Sequence, residues 1–157
     1  MIYRFSIFIT GESYAPLMNE ELRNYPLHIY SNWTKDDTYQ IRGKCHCYGY
    51  GGSHILHNSI FAFSEEERTK IIEDYLNFLE RNVERLKHYG ATEFEIAATI
   101  YMEESKRFLV MTRDEMARLL QCGNISFRLD IICLRTKDYK NIQNSMIIER
   151  GMRYERL

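Results

Sequence analysis

Proline is close to absent from this chain, with two in 157 residues, and no stretch is of low complexity. Disordered tails and a flexible inter-domain linker are therefore not expected. Net charge is as scarce: 21 basic against 22 acidic residues leave −1. So even a balance gives no long-range field for nucleic acid or anionic lipid, and either partner would need a local patch. Long apolar runs are missing too, which argues against a membrane-spanning helix. Met1-Ile2-Tyr3-Arg4 lacks the charged segment, apolar run and small-residue cleavage site of a signal peptide, so none is expected. Reduced thiols are then the default for Cys45, Cys47, Cys122 and Cys133, and the expected location is cytoplasmic. No G-x-S-x-G, H-E-x-x-H, phosphate-binding loop or kinase element occurs, which lowers the prospect of an enzyme.

What is present is ordinary core material and many aromatics. Hydrophobic residues make up 45% and charged residues 27%, with twelve Tyr and eight Phe. A chain of this length suits one domain that needs no metal or disulfide to hold a core. Residues 2–9 alternate Tyr3, Phe5, Ile7 and Ile9 against Arg4, Ser6 and Phe8, the period of a strand. Pro16 opens a short helix over 16–24 and Pro26 ends it, with 27–33 extended or looped. Residues 38–48 read as one strand whose inner face is Tyr39, Ile41, Gly43, Cys45 and Cys47. Gly49-Tyr50-Gly51-Gly52-Ser53 then turns the chain into a strand over 54–62, completing a hairpin.

The firmest expectation is a helix from Ser64 to Tyr89. Ser64 and Glu67 have capping-box spacing, Phe63 stands where a staple residue sits, and Gly90 follows as a stop. Ile72, Tyr75, Leu76, Leu79, Val83 and Leu86 recur at three- and four-residue steps, a buried stripe. Glu65, Glu66, Arg68, Lys70, Glu73, Glu80, Arg81 and Glu84 are assigned to the outer face. Strands are predicted over 93–102, 108–111 and 125–134, the last with one buried face, and Glu103-Glu104-Ser105-Lys106 makes a polar turn. Thr112 and Glu115 open a second capped helix through Gln121. Ile142 to Ile148 reads as an edge strand or short helix, with fraying from Arg150. The expected fold class is α+β: a mostly antiparallel sheet with one long and two shorter helices packed mainly on one face. Residues 1–134 form the single domain, and 135–157 an extension packed on it or fraying from it.

Chemistry-bearing residues cluster in Cys45, His46, Cys47, His54 and His57. A C-x-C pair on an extended strand rarely wraps one tetrahedral ion, so no metal is expected. Were one bound, Cys45, Cys47, His54 and His57 would hold it. The period places both thiols toward the core and the two histidines on opposite faces of their strand. The glycine-rich segment 49–53 precedes a strand and not a helix, so it is no phosphate cradle. Arg42, Lys44, His46 and Tyr48 share the other face of the 38–48 strand, a weaker nucleic-acid-binding alternative. No catalytic residue and no cofactor is expected.

Phe5-Ser6-Ile7-Phe8-Ile9-Thr10-Gly11, followed by Leu22, Pro26, Trp33 and Lys35-Asp36, the long helix and Phe127-Arg128-Leu129-Asp130-Ile131, resembles the bacterial "domain of unknown function 4279" family over about residues 2–134. Asp36-Asp37 stands where that family has a glycine step, and the Cys/His-rich segment is a further departure. The resemblance implies a small bacterial protein without a catalytic set, in some cases like a toxin-neutralising immunity protein. The leading expectation is thus a non-enzymatic protein that binds a toxin or effector. The alternative is a small enzyme or ligand- or metal-binding domain using residues 45–57. Tyr30, Trp33, Arg42, Lys44, His46, Tyr48 and Tyr50 are the expected partner-binding residues, because Tyr and Trp offer large contact area with few torsions. The partner is another protein, with no role for a membrane.

Overall fold

The computed structural model describes residues 1–103, 109–123 and 125–154, without the side chains of Asn19 and 148–154. Its main sheet is built on β1 (Ile2–Gly11), whose odd residues Tyr3, Phe5, Ile7 and Ile9 are fully buried. β1 lies between β5 (Gly51–Ala62) and β6 (Glu93–Glu103), antiparallel to both. β2 (Leu27–Trp33) pairs with β5 at one edge. β7 (Ile125–Leu134) forms the other edge, parallel to β6. The order is β2-β5-β1-β6-β7, and with its helices this is the expected α+β class.

α1 (Glu65–His88) covers the odd-residue face of β1. Leu76, Phe78, Leu79 and Leu86 are wholly buried there, each contributing about 1.5–3 kcal/mol of hydrophobic stabilisation. The helix begins and ends as its sequence predicts. Ser64 Oγ accepts the Glu67 N–H at 3.1 Å, and the Glu67 carboxylate takes the Phe63 N–H at 2.8 Å. At the other end the Ala91 N–H reaches the Leu86 carbonyl and the Gly90 N–H reaches that of Lys87, a Schellman closure. Gly90 has φ +89°, and a Cβ there would strike the Ser13 carbonyl at 2.5 Å. Gly90→Ala is expected to cost at least about 1–2 kcal/mol in urea unfolding; an unchanged midpoint would show that the turn relaxes freely.

α2 (Arg113–Gln121) lies beside α1 and makes the crossover from β6 to β7. Arg118 joins the two helices through Glu73 at 2.6 Å and Glu80 at 2.7 and 2.9 Å, so those glutamates are not idle surface charge. Arg68 corrects the expectation more sharply. Assigned to the outer face, it is 2% exposed. Its guanidinium donates to Glu65 (2.9 Å), the Val110 carbonyl (2.8 Å), Glu115 (3.1 Å) and Thr69 (2.9 Å). Position 68 is four before Ile72, so the apolar stripe itself carries it inward, where α2 closes over it.

Of the edge strand or short helix expected at 142–148 the helix forms, as part of the longer α3 (Thr136–Tyr154). Tyr139 and Met146 bury against Ile2 and Phe61, so α3 covers one end of the sheet face opposite α1. Where fraying is expected from Arg150, the backbone of α3 stays helical to Tyr154, and 155–157 lie outside the described residues.

Other boundaries differ for identifiable reasons. The helix expected over 16–24 is a 3-10 turn, Asn19–Leu22. The 38–48 strand is broken into β3 (Thr38–Ile41) and β4 (Lys44–Cys47), paired as a small separate ribbon. Arg42 (φ 49°) and Gly43 (φ 76°) form its two-residue turn, a geometry that matches strand twist. This ribbon does not pair with 54–62; β5 instead starts at Gly51 and joins β1 and β2. Residues 109–111 carry no strand, and Phe108 with the Glu104-Ser105-Lys106 turn lies outside the described residues. β7 lacks the buried face expected of it: Ile125 and Phe127 are half-buried, but Leu129 and Ile131 are exposed.

Candidate functional site

The even residues of β1 point away from α1, and among the described residues α3 covers one end of that face. Phe8 and Thr10 therefore stay on an open surface. Strand pairing sets Glu95 and Glu93 of β6 beside them, and Ser126 of β7 beside Glu95. On the other side Thr10 pairs with Gly52, and Gly52 with Trp33 of β2. The Trp33 indole lies across Gly52, where any Cβ would collide with the ring. Tyr48 stacks on Trp33 (centroids 5.2 Å, 26°), and Tyr50 meets both rings edge-on at 6.5 and 6.4 Å. Tyr39 continues the array from Tyr48 at 4.4 Å, and His46 stacks on Tyr39 at 5.5 Å. The connection to the ribbon is fixed by the Asp36 N–H on the Tyr48 carbonyl and the Tyr48 N–H on the Asp37 carbonyl, both 3.0 Å.

Together Phe8, Thr10, Trp33, Tyr48, Tyr50, Glu93, Glu95, Ser126 and Arg128 enclose a cleft of about 420 Å³. Arg128 shows what this surface does to a cation. Its guanidinium stands 5.4 Å over the Phe8 ring and bonds Glu95 at 3.0 Å. An aromatic face supplies attraction to the cation, and a carboxylate supplies the charge-assisted hydrogen bond. The Trp33, Tyr48 and Tyr50 rings offer the same combination near Glu93, whose carboxylate has a long 3.4 Å contact from Thr10.

Of the expected partner-binding residues, Trp33, Tyr48 and Tyr50 meet in the cleft. Tyr30 lies next to it, with its ring 5.1 Å from His54. His46 reaches the cluster only through Tyr39. Arg42 and Lys44 are exposed on the ribbon and do not line the cleft. Phe8, Tyr39, Glu93, Glu95 and Arg128 escaped sequence reasoning. Alternation put Phe8 opposite the core residues of its strand, but only strand order brings Glu95 and Arg128 beside it.

His54 stacks on Phe8 at 4.1 Å, and its Nε2 is buried without a hydrogen-bond partner. Burial first, then the positive fields of Arg4, Arg128 and His28, pushes its pKa down to about 4. The ring is therefore neutral at pH 7. In the unfolded chain it takes a proton below pH ~6.5, while the folded protein refuses it until about 4. Stability is full above pH ~6.5 and is lost as the pH falls from there toward 4, by about 1–2 kcal/mol after allowing for solvent screening of a half-buried ring. His54→Phe should remove that part of the acid sensitivity. Equal losses for both proteins between pH 7 and 4 would contradict it.

The four-ligand set is dispersed. Cys45 and Cys47, expected in the core, are exposed, because β4 belongs to a ribbon detached from the main sheet. His54 faces the open cleft side and His57 the α1 side. Among the described residues no group of three or more His, Cys, Asp or Glu is placed to hold a metal. His57 is buried. Its Nδ1 accepts the Ser59 N–H at 2.9 Å, which leaves Nε2–H to donate to Asp74 at 3.0 Å. Both ring nitrogens are thus engaged, Nδ1 by the Ser59 backbone and Nε2 by the Asp74 side chain of α1.

Comparison with protein-family models, with curated proteins and with solved structures finds no match. Among the described residues no helix is long and apolar enough to cross a membrane.

Proposed function

We propose that this chain is a non-enzymatic protein-binding protein, of the kind that neutralises a toxin or effector by direct contact. In this reading a basic side chain of the partner seats between Trp33, Tyr48, Tyr50 and the carboxylates of β6. The observation that carries it is the three-ring array beside Glu93 and Glu95 on an otherwise open sheet face. Aromatic anchors in a desolvated centre dominate interface energies, and Glu93 sets the sign of the partner's charge, since Glu95 is held by Arg128. The resemblance to the bacterial immunity-like family supports the class of partner. The free cysteines fit a cytoplasmic setting. A catalytic role is less well supported, because the His57–Asp74 pair has no ring nitrogen left for a substrate.

The test is capture from the native host with the full chain as bait, followed by titration of the captured protein. Trp33→Ala combined with Tyr48→Ala should weaken binding at least ~30-fold, in line with loss of hot-spot anchors. A captured partner bound equally well by the double variant would sink the assignment of this cleft. A partner lacking an exposed Arg or Lys at the contact would sink its charge logic.

A further inference from the structure

Among the described residues β7 ends the sheet, with β6 as its one strand neighbour, while α3 turns back from its end against β5, β6 and the adjoining part of β7. Sheet edges are ordinarily blunted by shortness, lysine, proline or a bulge. β7 has ten residues, IS-F-R-L-D-II-C-L, with no lysine and no proline, and it stays in unbroken register with β6. Leu129 (38%) and Ile131 (46%) are exposed on the α1 side of this strand, and Ile132 (37%) on the other. Such an edge is a template for another strand.

We propose that β7 pairs antiparallel with β7 of a second copy of this chain, with Leu129 opposite Leu129 of the partner subunit. The strand's own sequence selects this occupant and this register. A two-fold axis perpendicular to the sheet keeps the helices of both copies on one side, so odd residues must face odd residues. With Leu129 on the axis, Phe127 faces the partner's Ile131 and Ile125 faces the partner's Cys133, all apolar or nearly so. On the other side Arg128 faces the partner's Asp130, and the symmetry makes that ion pair twice. Sliding by one allowed step puts Arg128 against the partner's Arg128, or Asp130 against the partner's Asp130. Like charges directly opposite destabilise a strand pair, so both neighbouring registers are disfavoured. Within the chain Arg128 already lies 3.5 Å from Asp130, so both charges sit at the edge ready to exchange partners. The product is a continuous ten-stranded sheet with two open clefts on one face.

Sedimentation equilibrium at micromolar concentration should find a dimer. Leu129→Lys, which sets two ammonium groups on the axis, should give a folded monomer by far-UV circular dichroism. Arg128→Asp and Asp130→Arg should each weaken self-association about tenfold or more. Mixed together they should restore a heterodimer, since each then meets the opposite charge at both positions. A monomeric wild type, or a dimer indifferent to Leu129→Lys, overturns the proposal. Single charge variants that do not recover on mixing overturn the register.

Discussion

Arg68→Ala is expected to lower the unfolding free energy by about 3–5 kcal/mol, the largest effect of any single substitution considered for this fold. The guanidinium is 2% exposed and bonds two carboxylates, a main-chain carbonyl and a hydroxyl. Its removal leaves Glu115 buried beside the apolar stripe of α1, and leaves the Val110 carbonyl short of a donor. Glu115 has a second duty: its carboxylate accepts the Thr112 N–H at 2.6 Å and so caps α2. Loss of Arg68 therefore loosens the whole crossover from β6 to β7, not one contact. The pair is not valuable because it is charged. Two apolar residues of equal volume often do as well, and the penalty comes from stranding one partner. Hence Glu115→Gln, introduced into the Arg68→Ala background, should recover part of the loss, since an amide oxygen still caps Thr112 without a buried charge. Urea titration decides it. A cost under ~1 kcal/mol for Arg68→Ala would mean that water replaces the guanidinium.

Tyr75→Phe removes one oxygen and is expected to cost about 2–4 kcal/mol. Tyr75 is buried in α1, and its hydroxyl bridges two strands: it accepts the His57 N–H at 2.7 Å and donates to the Phe5 carbonyl at 3.0 Å. Both backbone groups sit where the β1–β5 ladder is interrupted. Ser6 pairs with Leu56, but Arg4 pairs with Phe61, so residues 57–60 bulge out opposite Phe5. Phenylalanine fills the same volume, so no cavity term enters. What remains is a buried donor and a buried acceptor, each costing about 1–3 kcal/mol when unsatisfied. The denaturation midpoint should fall, and exchange of the His57 amide should quicken far more than that of central β1 amides. Exchange that stays as slow as in the wild type would show that the bulge finds another partner.

Both residues bear on what can be read from sequence. Tyr75 was correctly placed on the buried stripe of its helix, yet nothing local says that its hydroxyl must serve a strand bulge. Arg68 lies on the same stripe by spacing, but its charge argued for solvent. The spacing was the better guide, because a helix turns at a fixed angle whatever the side chain, and a buried cation persists where other elements bring acceptors to it. The β3–β4 ribbon failed differently. Its period-two pattern is genuine, but Arg42-Gly43 folds it back on itself, and pattern does not distinguish one strand from two halves. Of the cleft, Trp33, Tyr48 and Tyr50 were legible as exposed-type aromatics near strand ends. Glu93, Glu95 and Arg128 were not, since they read as ordinary polar positions of alternating strands.

The amino-acid sequence determined what depends on near neighbours along the chain. These are the span of α1 with both its caps, the facing of β1 and β6 residues, the capped start of α2 and the α+β class. Hydrogen bonds and side-chain direction within a turn or a strand fix these, over at most a few residues. Only the tertiary structure decided which strands lie side by side, that β7 runs parallel at the sheet edge, and that among the described residues α3 covers one end of the sheet face opposite α1. The aromatic cleft follows from those decisions alone. Its walls come from five separated segments, and periodicity assigns each residue a face without saying what shares that face or covers it.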